Sequence, residues 1–271
     1  VGANIAVTRF GCDTHIHFYD HRYPVDPAAV LRPPDATPDD YRSEQTALGT
    51  ERVVVVQPTT YGLDNSCQLD AMAWFGDAAR GVMVVDPGVP REELARLTEL
   101  GVRGARFHML PGGAIGWEAL EVVAGNIAPF GWHIQLQLNG RELPRHLDRL
   151  LRLPVDLVVD HVGRFMPTVE PDSPAFAALL TLMDQGATTK LSAPYESSPS
   201  GSPEFDDVTR LVDGLVSRAP DRLVWASNWP HPGQADPPTA ADLVALRDRW
   251  LPTDGLRRQV LVDNPAALYD F

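Results

Sequence analysis

His15 and His17 stand two residues apart in the run Asp13-Thr14-His15-Ile16-His17, and this is the sharpest chemical signal in the sequence. Residues two apart on a strand share a face. The two imidazoles therefore address one point, as a metal site or an acid–base site requires. His161, in Asp160-His161-Val162-Gly163-Arg164, supplies a third ring nitrogen. Arg106 and Arg164 read as forks for a substrate carboxylate; a salt bridge with Asp86, Asp160 or Glu196 is the competing use. Asn228, in Ser227-Asn228-Trp229-Pro230-His231, can orient a substrate or take a hydrogen bond. An amide is no general base near neutral pH, and it is a weak metal ligand.

Further polar residues alternate as strand residues do. Arg106 shares a face with His108; Gln135, Gln137 and Asn139 share one against Ile134, Leu136 and Leu138; Asp13, His15 and His17 fall on one side; Lys190 and Ser192 pair on another. A strand covered on both faces should be almost wholly apolar. Polar side chains bunched at strand ends therefore mark the mouth of a site, because burying them costs energy unless each is paired. For Gln135 and Gln137, mutual hydrogen bonding in a wet barrel top is an equal reading.

Such residues need a scaffold that gathers strand ends. Strand-like runs at 9–14, 52–57, 81–86, 102–108, 132–138, 155–160, 188–191 and 222–226 alternate with amphipathic helical runs. Eight strand–helix repeats without a G-x-G-x-x-G turn favour an α/β fold of the (β/α)₈ TIM-barrel kind over a doubly wound sheet. The chain of 271 residues suits one such domain over 1–271. The Pro- and Asp-rich residues 18–38 read as a long loop over the site, and Thr37-Pro38-Asp39-Asp40 as a helix start. Cys12 and Cys67 read as buried small side chains rather than a disulfide.

The chain carries 36 acidic and 23 basic residues, a formal charge of -13. Bulk charge of this sign disfavours nucleic acid and anionic membranes, yet local arginines can still receive a small anionic substrate. No apolar run reaches the ~18 residues of a membrane span. The start VGANIAVTRFG lacks a basic region followed by a long apolar stretch, so no signal peptide is read there. A cytoplasmic monomer or small homo-oligomer is the expectation.

Taken together, Asp13-Thr14-His15-Ile16-His17, Gly104-Ala105-Arg106-Phe107, Asp160-His161-Val162-Gly163-Arg164 and Asn228-Trp229-Pro230-His231 resemble the amidohydrolase superfamily. The resemblance runs along nearly the whole chain. It is closest to the branch of the 2-pyrone-4,6-dicarboxylate lactonases and D-galactarolactone isomerases. Leu110-Pro111-Gly112-Gly113-Ala114, Tyr195-Glu196-Ser197-Ser198 and Asn at 228 lean towards the isomerases, whereas His15 leans away from them. The resemblance implies a distorted barrel like that of metal-dependent hydrolases, with a carboxylated lactone as substrate. Two-metal members carry a lysine after strand four and a histidine after strand five. Arg106 or His108 and Gln135 or Gln137 stand in those regions here, and Asn228 replaces the usual Asp. The branch implies that no cofactor is required; a single divalent ion such as zinc on His15, His17 and His161 is the alternative.

On this reading His15, His17 and His161 polarise the lactone carbonyl, and Arg106 and Arg164 hold carboxylates. Tyr195, Ser197 and Tyr61 bind hydroxyls. Asn228 in place of a base weighs against water activation and towards isomerisation, in which the substrate's own hydroxyl attacks. His231 or Asp160 could still serve as a base, which keeps lactone hydrolysis open. Hydrolysis or decarboxylation of another carboxylate substrate also stays open, as does a barrel that binds a sugar acid without turnover.

Overall fold

The computed structural model describes residues 10–271. The expected start of the first strand at residue 9 and most of the start read for a signal peptide lie outside them. Eight strands follow in chain order: β1 Cys12–Ile16, β2 Arg52–Val56, β3 Ala79–Met83, β4 Val102–His108, β5 His133–Gln137, β6 Leu157–Val159, β7 Thr188–Leu191 and β8 Leu223–Trp225. Each pairs in parallel with the next. Between β8 and β1 the circle closes through single hydrogen bonds: Thr14 Oγ1 to the Trp225 carbonyl at 2.9 Å, Asn228 N–H to the His15 carbonyl at 3.0 Å, and His17 N–H to the Trp229 carbonyl at 2.9 Å. This is the expected (β/α)₈ barrel, and its irregular seam lies under the two histidines.

One main helix follows each strand: α1 Pro38–Leu48, α2 Ser66–Phe75, α3 Arg91–Glu99, α4 Leu120–Ile127, α5 Leu143–Leu150, α6 Pro174–Asp184, α7 Asp206–Arg218 and α8 Ala240–Trp250. Thr37 and Asp40 form a capping box at the start of α1, a device worth about 1 kcal/mol. Strand three was expected at 81–86 but ends at Met83. The Asn65 amide takes the Val84 N–H at 3.1 Å and gives to the Val84 carbonyl at 2.8 Å. A side chain thus substitutes for a ladder neighbour, which an apolar run cannot reveal.

The alternating residues of β2 show the layering. Val53 and Val55 pack outward among the helices, while Val54 and Val56 join Cys12, Val82 and Tyr269 in a separate apolar cluster inside the barrel. Tyr269, close to the C-terminus, fills the barrel interior against the ring of His133. Cys12 and Cys67 are free and buried. Among the described residues no helix is long and apolar enough to cross a membrane.

A register shift between Asp13 and Ile16 of β1 corrects the assignment of Asp13, His15 and His17 to one face. Asp13 accepts from Tyr41 of α1 at 2.8 Å and from Ser227 N–H at 2.9 Å. His15 and His17 turn instead to the upper barrel interior. The irregularity re-aims side chains at a strand end, the usual work of a bulge beside a site.

Candidate active site

Above the apolar cluster lies a buried polar layer built by β1, β5, β6 and β7. Lys190, wholly buried on β7, donates from Nζ to the Thr14 carbonyl and to Gln135 Oε1, each at 2.7 Å. The same ammonium lies 3.8 Å from Asp160 Oδ1 and 3.4 Å from His15 Nδ1. Gln135 Nε2 donates to Asp160 Oδ2 at 3.1 Å. Burial lowers Lys190 to about 8, so the ammonium persists at neutral pH and balances Asp160.

The histidine tautomers are set from His17. His15 Nδ1 has Lys190 Nζ, Gln135 Nε2 and Asp160 Oδ1 all at 3.4 Å, whereas the Val56 carbonyl only accepts, which leaves His17 Nε2 unprotonated and makes Nε2 the protonated nitrogen of His15. That Nε2–H points at His17 Nε2, 3.2 Å away, while His17 Nδ1–H goes to the Val56 carbonyl at 2.7 Å. Desolvation, reinforced by the Arg106 charge, pushes His17 down to about 3. Burial holds His15 and His161 well below the ordinary histidine value too, so all three rings are neutral near pH 7. His161 shares a hydrogen bond between Nδ1 and Ser192 Oγ at 2.8 Å, which leaves its Nε2 for a ligand.

Over this layer opens a cavity of about 290 Å³. His17, Arg106, His108, Gln137, His161, Arg164 and Asn228 are all in its wall, joined by Tyr19, Thr59 and Glu196. Val30 and Leu31 cover it from the 18–38 segment, where the sequence places a loop. His161, Arg164, Asn228 and His231 all have φ between 46° and 65°. Non-glycine residues reach this left-handed region only at a cost of about 1–3 kcal/mol each, and such strain gathers at functional sites.

The two arginines differ. Arg164 makes an ion pair with Glu196, the competing use read from the sequence. Arg106 is 4% exposed and has no carboxylate partner among the described residues; it donates to the Gln57 carbonyl and, at 2.7 Å, to Gln137 Oε1, and its Nε is unpartnered. A buried guanidinium without a paired carboxylate is costly; Asp160 and Glu196 act on it only at longer range, and its position in the cavity wall lets it receive an anion. His108 shares Gln137 Oε1 at 3.2 Å, and desolvation pushes it down to about 3.

His15, Gln135, Tyr61, Tyr195, Ser197 and His231 are not in the cavity wall. His15 and Gln135 belong to the layer beneath. Tyr61 Oη bonds the backbone of Asp20 and so pins the covering segment. Tyr195 Oη accepts from Asn228 Nδ2 at 2.9 Å and meets His231 Nδ1 at 2.9 Å, so both act on Asn228 from behind; burial lowers His231 to about 4. Ser197 takes Thr168 N–H on its carbonyl. Strand alternation puts Lys190 on a face with Ser192 but assigns it no role. Its signal was a lysine within a short strand in the barrel wall.

The expected ion-binding set of His15, His17 and His161 is not the one brought together. Donor atoms within 4.8 Å of one another are offered instead by His15, Asp160 and His161. Those residues do not fit a divalent ion, because Lys190 already holds a positive charge beside two of them. An ion bound at ~2.1 Å would lie within about 6 Å of the ammonium, a repulsion of roughly 5 kcal/mol at an effective dielectric near 20.

Known proteins resemble the chain along nearly its whole length. The chain is 36% identical to a D-galactarolactone isomerase of Agrobacterium fabrum, covering 98% of this chain and 93% of that one. It is 34% identical to a 2-pyrone-4,6-dicarboxylate hydrolase of Comamonas testosteroni, over 95% and 89%. A crystal structure of an Agrobacterium tumefaciens protein without ligand superposes with a TM-score of 0.93 at 35% identity, covering 100% and 99%. The family profile described as amidohydrolase matches residues 12–271. With the barrel, the paired strand-end histidines and this match in agreement, the chain belongs to the amidohydrolase family.

Proposed function

We propose that this enzyme rearranges a carboxylated sugar-acid lactone by intramolecular acyl transfer, as the name of the Agrobacterium fabrum relative suggests. The observation that carries the reading is Asn228, an amide on the cavity wall held by Tyr195, where hydrolysis would call for a base. Arg106 binds the substrate carboxylate. His161 Nε2 takes the proton of a substrate hydroxyl as its oxygen bonds to the lactone carbonyl carbon. The ring C–O bond then breaks, and the same proton passes to the departing ring oxygen. No water is consumed.

Burial keeps His161 in the neutral form that can take a proton, lowers its strength as a base and favours the release half of the transfer. The neutral ring is the resting form, and its conjugate acid, disfavoured by burial, releases the proton readily. Holding the hydroxyl near the carbonyl substitutes for activating bulk water. The Val56 carbonyl keeps the His15–His17 pair in one tautomeric state. Hydrolysis stands as the second reading, since a neutral imidazole activates water as it does a hydroxyl.

The test is NMR of the protein with galactarate δ-lactone and with 2-pyrone-4,6-dicarboxylate, against buffer alone. Formation of the γ-lactone from the first faster than in buffer supports the reading, and open-chain acid as the first product supports hydrolysis instead. Failure to consume either lactone overturns it.

A further inference from the structure

Three charged side chains face the cavity: Arg106, Arg164 and Glu196. The histidines in its wall are neutral, as derived above. Arg164 Nε and Glu196 Oε2 are in direct ion contact, with side chains only 17% and 12% exposed. Arg106 has no such partner. Burial raises the Glu196 carboxyl, but the charges of Arg164 and Arg106 oppose the rise; with Glu196 ionised in contact with Arg164, the wall carries one net positive charge, located at Arg106. A pocket with two free arginines would instead match a dianion.

We propose that Glu196 determines specificity: by cancelling Arg164 it restricts the cavity to lactones with one carboxylate, and Oε1 of the same side chain accepts a hydrogen bond from a substrate hydroxyl. The proposal rests on the lactone reading for the ring; the charge argument stands without it. A second anionic substituent would lie against Glu196 or have to pull Arg164 away from it. Placing a like charge where the wrong ligand would sit is a common route to selectivity. Glu196 Oε2 is buried within the ion pair, so Oε1 is the oxygen available to a ligand. Sugar-acid lactones offer hydroxyl donors to it, whereas a pyrone dicarboxylate offers none.

Titration calorimetry with galactarate γ-lactone and 2-pyrone-4,6-dicarboxylate measures the ratio of the two affinities. The wild type binds the monoanion more tightly. Glu196→Gln, which keeps the shape and removes the charge, moves the ratio towards the dianion by about tenfold or more, ~1.4 kcal/mol. The double variant Arg164→Met with Glu196→Gln removes both charges of the pair, keeps the net charge of the wall and keeps an amide oxygen for the substrate hydroxyl, and holds the wild-type ratio within about threefold. An unmoved ratio in a folded Glu196→Gln protein overturns the proposal. Should that variant not fold, the double variant carries the test, and a tenfold shift towards the dianion there overturns it. A ratio that moves in Glu196→Gln without turnover of either lactone leaves the charge filter standing and sinks the lactone reading. Turnover with an unmoved ratio does the reverse.

Discussion

Replacing Arg106 by Met separates its binding role from any structural one. The guanidinium is 4% exposed and gives two hydrogen bonds, to the Gln57 carbonyl and to Gln137 Oε1, with no carboxylate near enough to pair. Charge-assisted bonds of this kind contribute about 1.5–3 kcal/mol each. Against them stands the several kcal/mol cost of an unpaired buried charge. The two nearly cancel, so the melting temperature of Arg106→Met stays within roughly 5 °C of wild type. Substrate binding has no such compensation. Losing a desolvated charge partner costs about 2–5 kcal/mol, so kcat/KM falls at least ~30-fold, and added formate or acetate does not inhibit the variant as it does the wild type. Differential scanning calorimetry and lactone kinetics on one preparation decide the matter. A collapse in melting temperature with an unchanged KM would mean that Arg106 braces the strand ends, and the anion argument would fail.

Asn228→Asp places a carboxylate where the amide stands, and general-base assistance is worth about 10²–10⁴. The share of open-chain product should rise at least ~10-fold in product analysis, and no rise would remove Asn228 from the argument. Lys190→Met takes the positive charge out of the polar layer, so the variant should retain zinc after gel filtration, read by plasma mass spectrometry, while the wild type treated alike does not. Stoichiometric zinc in the wild type would refute the misfit of Lys190 with an ion. His17, His108 and His133 lie near 3 and His231 near 4 in the folded chain, with His15 and His161 also well below the ordinary value, burial being the first cause in each. The unfolded chain binds these protons below about 6.5. The stability they contribute is therefore complete above pH 6.5 and is lost as pH falls towards 3–4, at ~1.4 kcal/mol per pH unit per histidine. Urea midpoints that stay flat from pH 7 to pH 5 would contradict this.

Much of the site is legible because strand alternation and strand ends are legible. The faces of Arg106 with His108 and of Gln135 with Gln137 follow from period two alone, and their pairing across β4 and β5 is regular. Asp13 is misread because a register shift has no fixed sequence signature, and the true end of β3 is hidden because Asn65 mimics a strand neighbour. Depth along the barrel is also invisible. His15 and Gln135 look like His17 and Gln137, but each pair is split between a buried layer and the cavity wall. Tyr195 and Tyr61 carry hydroxyls on loops as substrate ligands do, yet both are used by neighbouring chain. Lys190 is visible as a lysine in a short strand, but only the assembled barrel shows that its charge lies beside His15 and Asp160.

The most direct test of the central claim is isotopic. The metal-free protein is incubated with galactarate δ-lactone in ¹⁸O-labelled water and followed by NMR and mass spectrometry beside an enzyme-free control. Intramolecular transfer predicts γ-lactone without label. Open-chain acid carrying ¹⁸O as the first product would contradict it and would make His161, not Asn228, the residue that decides the chemistry.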